Sequence, residues 1–257
     1  MTPNTGHSGR KKTTLRSLTV AETVMELDGA SLSDISNELG LAKSTAHSHL
    51  ETLRDRGYLV KQGKQYHIGL QYLHLGGYAI SRDRSYNIVR EKVKGLARTT
   101  GERAQYIVHQ NGRGVYVFSD RESTSAVQTD VRLGKQAFLH TTAAGKAILA
   151  NLPKARVDEI IGQHGLKAET DQTITHREEL FEVLEAVRDR GFAYNRGERL
   201  EKQWAIGAAI VGGDDTVTGA ISVSGPKHRM KEKEARDNLP GELMGVVNEI
   251  ELNLAHT

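Results

Sequence analysis

Lys43-Ser44-Thr45, followed closely by His47 and Ser48, places one cation and several short hydrogen-bonding side chains within a single stretch of helical spacing. Such groups at the exposed start of a helix can reach phosphate oxygens and base edges in a DNA major groove. The helix N-terminus itself also favours phosphate. Further on, Lys61 and Lys64 belong to a polar turn, Lys61-Gln62-Gly63-Lys64, suited to flanking backbone contacts. Arg10, Lys11 and Lys12 form a basic run ahead of these elements, the kind of electrostatic hook that attracts phosphates. A different chemistry is offered by Thr142-Ala143-Ala144-Gly145, where small residues at a helix start let backbone N–H groups approach a carboxylate. Ser222 and Ser224 are two apart on a strand and therefore point to one face.

Other chemistries are excluded by residue type or spacing. The 257-residue sequence has no cysteine, so disulfides, thiolate metal sites and cysteine nucleophiles are absent. His47 and His49 are about 200° apart around a helix, which argues against a shared metal. Gly145-Lys146 is not a phosphate loop, because His140 and Ala147 stand where that motif needs Gly and Ser or Thr. There is no Gly-x-Ser-x-Gly elbow and no His-Glu-x-x-His pair. The expectation is a protein without a catalytic residue, metal or cofactor.

These groups need elements to hold them. Ser17–Leu27 reads as a helix that Asp28-Gly29 stops. Ser31 caps a second helix, with Leu32, Ile35 and Leu39 on its apolar face and Gly40 at its end. A third helix runs from about Ala42 to Arg56, with Ala46, His49, Leu50 and Leu53 turned inward. Tyr58–Val60 and Gln65–Ile68 are two short strands. Three helices and a hairpin make a winged helix-turn-helix, here spanning 15–70 behind a flexible basic arm at 1–14. The formal charge of +3 hides a local +4 over 1–16 and a mildly acidic winged helix behind it.

Residues 71–85 read as a connecting helix, and 86–257 as an α+β domain. In that second domain a helix from Tyr86 closes at Gly101, and a hairpin turns at Asn111-Gly112. Helices are expected from Thr142 to Ala150, at Pro153–His164 and Thr175–Arg190, with one long final helix at Glu232–Ala255. Phe192–Arg196, Trp204–Val211 and Val217–Ser224 read as strands of an antiparallel sheet. No apolar run approaches the ~20 residues of a membrane span, and the polar N-terminus is unlike a signal peptide. A cytoplasmic protein without membrane partners is expected.

The strings Gly-Ala-Ser-Leu-Ser-Asp-Ile (29–35) and Leu-Gly-Leu-Ala-Lys-Ser-Thr-Ala-His (39–47) resemble the N-terminal domain of the IclR family. Leu139–Ala147 and Ala220–Pro226 are similar to signatures of that family's second domain, in the same order. The resemblance implies a GAF-like effector-binding domain, a linker that contributes to a homodimer or homotetramer, and a pseudo-palindromic double-stranded DNA operator. It also implies an effector pocket at Ala143, Ala144, Asn195, Ala205, Ile206, Ser222 and Ser224. Asn195 and Ala205 depart from the Asp and Cys of relatives that bind small keto acids, and Ser48 from a common Arg, so ligand and operator identity do not carry over. The expected function is a transcription regulator whose operator binding responds to a small organic or sugar acid. The rival readings are a ligand-independent architectural DNA binder and a small-molecule enzyme with an interaction-type winged helix.

Overall fold

The computed structural model describes residues 11–83, 85–121, 132–213, 216–236 and 238–255. The chain divides into two compact units, Met1–Arg82 and Asp83–Thr257.

In the first unit, α1 (Lys12–Glu26) buries Val20, Ala21, Thr23 and Val24. It begins five residues earlier than its apolar stripe indicates, so Lys12, expected in a flexible arm, is helical. Nothing between Lys12 and Ser17 breaks a helix, and the hydroxyls of Ser17 and Thr19 bond back to the Thr13 and Leu15 carbonyls. Strand β1 (Ala30–Ser31) leads into α2 (Leu32–Glu38) through a capping box. Ser31 Oγ accepts from the Asp34 N–H at 3.2 Å, and Asp34 Oδ2 accepts from the Ser31 N–H at 2.8 Å. Those bonds hold the Asp34 carboxyl below its ordinary range.

α3 (Lys43–Asp55) buries the expected stripe of Ala46, His49, Leu50 and Leu53. The hairpin is β2 (Leu59–Gln62) and β3 (Gln65–Ile68), and β1 adds a third strand beside β3. That pairing was not legible, because two residues carry no alternation. α4 (Gln71–Ser81) follows and buries none of its residues.

The second unit opens with α5 (Ser85–Thr100), then the hairpin β4 (Arg103–Gln110) and β5 (Arg113–Asp120). Asn111 and Gly112 both take positive φ, 51° and 76°, as a two-residue hairpin turn requires. A short edge strand, β6 (Gln136–Phe138), leads through a 3-10 turn (Leu139–Thr141) into α6 (Ala143–Ala150). Helices α7 (Lys154–His164) and α8 (Arg177–Arg190) precede β7 (Ala193–Arg196), β8 (Gln203–Val211) and β9 (Val217–Pro226). These strands form one antiparallel sheet in the order β6-β5-β4-β9-β8-β7.

The expected single C-terminal helix is two, α9 (Lys227–Arg236) and α10 (Leu239–Ala255). Pro240 lacks an N–H and disfavours helical geometry just before it, so it suits the first turn of a new helix rather than the interior of a long one. Asn238, at φ 28°, makes the break.

Strand register sorts the second unit's side chains into two layers. Asn195, Ala205 and Ser224 stand side by side across β7, β8 and β9, and Gly207, Ser222 and Gln105 form the next row. These face α6, beyond which a core of Ile148, Leu149, Val157, Leu180 and Leu184 joins α7 and α8. The opposite face, including Ile206 and Val223, is covered by α5, α9 and α10.

Candidate functional site

The turn between α2 and α3 is built by named bonds. Gly40 takes φ 60°, the Leu41 N–H donates to the Ser36 carbonyl at 3.0 Å, and Ser36 Oγ donates to the Leu41 carbonyl at 2.7 Å. Ser17 Oγ and His49 Nδ1, 2.8 Å apart, tie α1 to the inward side of α3. With that side fixed, Lys43, Ser44, His47 and Ser48 are exposed and Thr45 is half-buried on the same N-terminal part of α3. Lys61 lies in β2 rather than in the turn, with its ammonium 5.0 Å from the Tyr66 ring centre. Lys64 occupies the turn, and both lysines are exposed. Tyr66 hydroxyl donates to Glu51 at 2.7 Å, joining the wing to α3. Lys11 and Lys12 are exposed at the start of α1, while Arg10 lies outside the described residues.

In the second unit, Thr142 caps α6: its Oγ1 accepts from the Gly145 N–H at 3.0 Å. Gly207 lets this helix start approach the sheet, and Gly145 lets it fold closely onto the preceding 3-10 turn. A Cβ on Gly207 would lie 2.6 Å from the Ala144 nitrogen, and one on Gly145 would lie 2.2 Å from the Leu139 carbonyl oxygen. Between α6, the sheet and the β7–β8 connection is a cavity of about 30 Å³.

Five residues expected from the resemblance line that cavity: Ala143, Asn195, Ala205, Ser222 and Ser224. Two do not. Ile206 follows Ala205 on β8 and so points to the other face of the sheet, where it borders Trp204, Met230 and Leu239. Ala144 is fully buried in the core against Gly207. Asn195 also makes structural hydrogen bonds. Its amide nitrogen donates to the Thr141 carbonyl, and its oxygen accepts from the N–H groups of Gly197 and Glu198 at 3.1 and 3.2 Å. It is a clasp for the β7–β8 connection as well as part of the wall.

The cavity's other polar groups are the capping Thr142 and four that were not expected there, Gln105, Tyr116, Arg199 and Gln203. Ser224 Oγ donates to Gln105 Oε1 at 3.2 Å, and Arg199 Nη1 donates to the Tyr116 hydroxyl at 2.6 Å. Gln105 and Tyr116 arrive by strand pairing over long sequence separations, and Arg199 lies in an irregular segment without periodicity. No local pattern marks them.

Behind Asn195, Lys146 Nζ pairs with the Glu198 carboxylate, with side chains only 3% and 11% exposed. Burial pushes the Lys146 ammonium below the ordinary lysine range, and Glu198 opposes that shift. Thr173 Oγ1 donates to the Glu198 carbonyl at 2.6 Å, and Thr170 Oγ1 to the Gly197 carbonyl at 2.7 Å. Lys146 is thus a structural cation. Among the described residues, no group of three or more metal-ligating side chains converges.

A winged helix whose third helix bares a polar end, joined in one chain to an α+β unit with a cavity, has the make-up of a DNA-binding transcription regulator. Sequence comparison agrees. The profile described as "IclR helix-turn-helix domain" matches residues 13–63, and "Bacterial transcriptional regulator IclR C-terminal" matches 79–252. This chain belongs to the IclR family. It is 32% identical over 255 residues to the "Probable HTH-type transcriptional regulator ArcR" of Halobacterium salinarum, covering 98% of this chain and 97% of that protein. It is 25% identical to the transcriptional repressor IclR of Escherichia coli, covering 88% and 84% of the two chains. The crystal structure of the Thermotoga maritima IclR superposes with a TM-score of 0.74 at 24% identity, over 95% of this chain and 98% of that one. An IclR transcriptional regulator from Alicyclobacillus acidocaldarius gives 0.79 at 20% identity, over 96% and 98%. These relatives are regulators and not enzymes. Among the described residues, no helix is long and apolar enough to cross a membrane.

Proposed function

We propose that this chain is a cytoplasmic regulator that reads a pseudo-palindromic operator as a homodimer or dimer of dimers and releases or remodels it on binding a small organic acid. The observation that carries the DNA side is the division of α3. It buries Ala46, His49, Leu50 and Leu53 and exposes Lys43, Ser44, His47 and Ser48. Helix α3 would enter the major groove by its N-terminal end, and Lys61 and Lys64 on the wing would meet flanking phosphates. Lys11 and Lys12, with Arg10, add further phosphate contacts. The effector side rests on the cavity walled by Ser222, Ser224, Gln105 and Arg199, polar groups gathered beneath an apolar helix. An effector that prefers one arrangement of the dimer shifts its population, and half-site spacing with it.

The test is a footprint and mobility-shift titration on the DNA upstream of the protein's own gene. Lys43→Ala and Thr45→Ala are expected to weaken operator binding by about tenfold or more each. Affinity should fall steeply with salt, and the Lys43 variant should have a shallower slope. A footprint untouched by both substitutions sinks the assignment of α3.

A further inference from the structure

The inner cavity, at about 30 Å³, has room for a few waters at most. It cannot by itself enclose an organic acid. It does not stand alone: Leu200, Gln203 and Ser224 line it and also line a second, outer cavity of about 830 Å³. That volume lies within the range of about 300–1,000 Å³ typical of small-molecule pockets. Its wall carries the cations Arg103, Arg121, Lys202, Lys227 and Lys231 against two carboxylates, Glu102 and Glu201. Glu102 is already committed to Arg229, with Nε–Oε1 at 2.8 Å and Nη2–Oε2 at 3.0 Å. Lys227 opens α9, so the positive end of that helix faces the same space. Arg103 donates to Ser119 Oγ at 3.2 Å, and its guanidinium is held below its ordinary value by burial first and by the neighbouring Arg121 second.

We propose that the two cavities together bind a small molecule with two separated anionic groups, one directed to Arg199 and the other to Arg103, Lys227 and Lys231. The proposal rests on reading the second unit as the effector sensor and names the ligand class for that site. The near group sits among Arg199, the Tyr116 hydroxyl and Ser224. The body passes Leu200 and Gln203, and the far group lies in the basic outer space. Carboxylate and phosphate share this chemistry.

The experiment is calorimetric titration of the full-length protein with two matched pairs: adipate against hexanoate, and 3-phosphoglycerate against glycerate. In at least one pair the doubly anionic member should bind about tenfold or more tighter than its singly anionic partner. The pair with the larger preference identifies the second group as carboxylate or phosphate. Lys227→Ala combined with Lys231→Ala, both exposed positions, should bring the doubly anionic compound down to the level of its partner and leave the partner unchanged. Arg199→Gln should weaken both members of the pair. Equal affinities within both pairs, no binding by either doubly anionic compound, or indifference to the two lysines overturns the proposal. The sensor reading has its own outcome. A doubly anionic compound that binds as described yet leaves the operator complex unchanged overturns that reading while the ligand class stands. Operator release by hexanoate or glycerate at concentrations as low as those needed of adipate or 3-phosphoglycerate keeps the sensor and removes the ligand class.

Discussion

His140 and His109 are two residues through which pH acts on the second unit. His140 is buried beside Phe138, with Nε2 3.1 Å from the Lys167 carbonyl, so this nitrogen carries the hydrogen. His109 Nε2 instead accepts from the Gly112 N–H at 3.1 Å. Burial lowers both imidazoles below the ordinary 6.5, and His109 also feels Arg156 and His164. The unfolded chain therefore takes up these protons near 6.5 while the folded one takes them up only at lower pH. Stability is fully present above that value and falls as pH drops through the window beneath it. A loss of stability is therefore expected between pH 7.5 and 5.5, with a share from each imidazole. Trp204, the only tryptophan in the sequence, lies in this unit and reports its unfolding. The denaturant midpoint should fall over that interval, and by less in His140→Gln, whose amide can still donate to the Lys167 carbonyl. An identical fall in both proteins would remove His140 from the account. His49 was legible as an inward imidazole because its offset from Ala46 and Leu53 is helical. The environment of His140 was not, because Lys167, its partner, comes from a distant loop.

At the scale of elements, the contact between α6 and β8 decides whether the cavity exists. Gly207→Ala drives a methyl into the Ala144 nitrogen and the Ala143 carbonyl carbon, at 2.6 and 2.8 Å, and both are backbone. Backbone cannot rotate away as a flexible side chain can, so a cost of about 1–3 kcal/mol or more is expected. Gly245 supplies the contrast: it lies within α10, a Cβ there meets nothing within 4 Å, and alanine should stabilise by about 0.5–1 kcal/mol. Trp204 fluorescence during denaturant unfolding measures both, and a neutral Gly207→Ala would refute the close approach. The helices and strands themselves were largely readable from period and caps, as Ser31 with Asp34 and Thr142 with Gly145 illustrate. Short edges were not. β1 has two residues and β6 three, too few for any alternation, and each exists because a longer neighbour offers it a free edge.

For the whole molecule, the first unit leaves much apolar surface in water. Leu70, Leu73 and Tyr78 at the start of and along α4 are 79%, 70% and 66% exposed, and Leu15 and Leu18 on α1 are more than half exposed. In the proposed dimer a second copy would cover these apolar side chains. Leu73→Glu should shift sedimentation toward the monomer, leave helicity unchanged, and reduce operator affinity by uncoupling the half-sites. An unchanged sedimentation profile would place the dimer contact elsewhere. Sequence alone determined the two-part plan, the third helix with its inward stripe, and the place of most helices and strands, though not the break between α9 and α10, because periodicity, capping and turn chemistry act within a few residues. Only the tertiary structure decided which residues meet in the cavity. It turned Ile206 away, gave Asn195 a second task in holding the β7–β8 connection, and brought Gln105, Tyr116 and Arg199 to Ser224. A side chain's surroundings there are set by strand register and by how closely two backbones pack, and both arise between segments far apart in the chain.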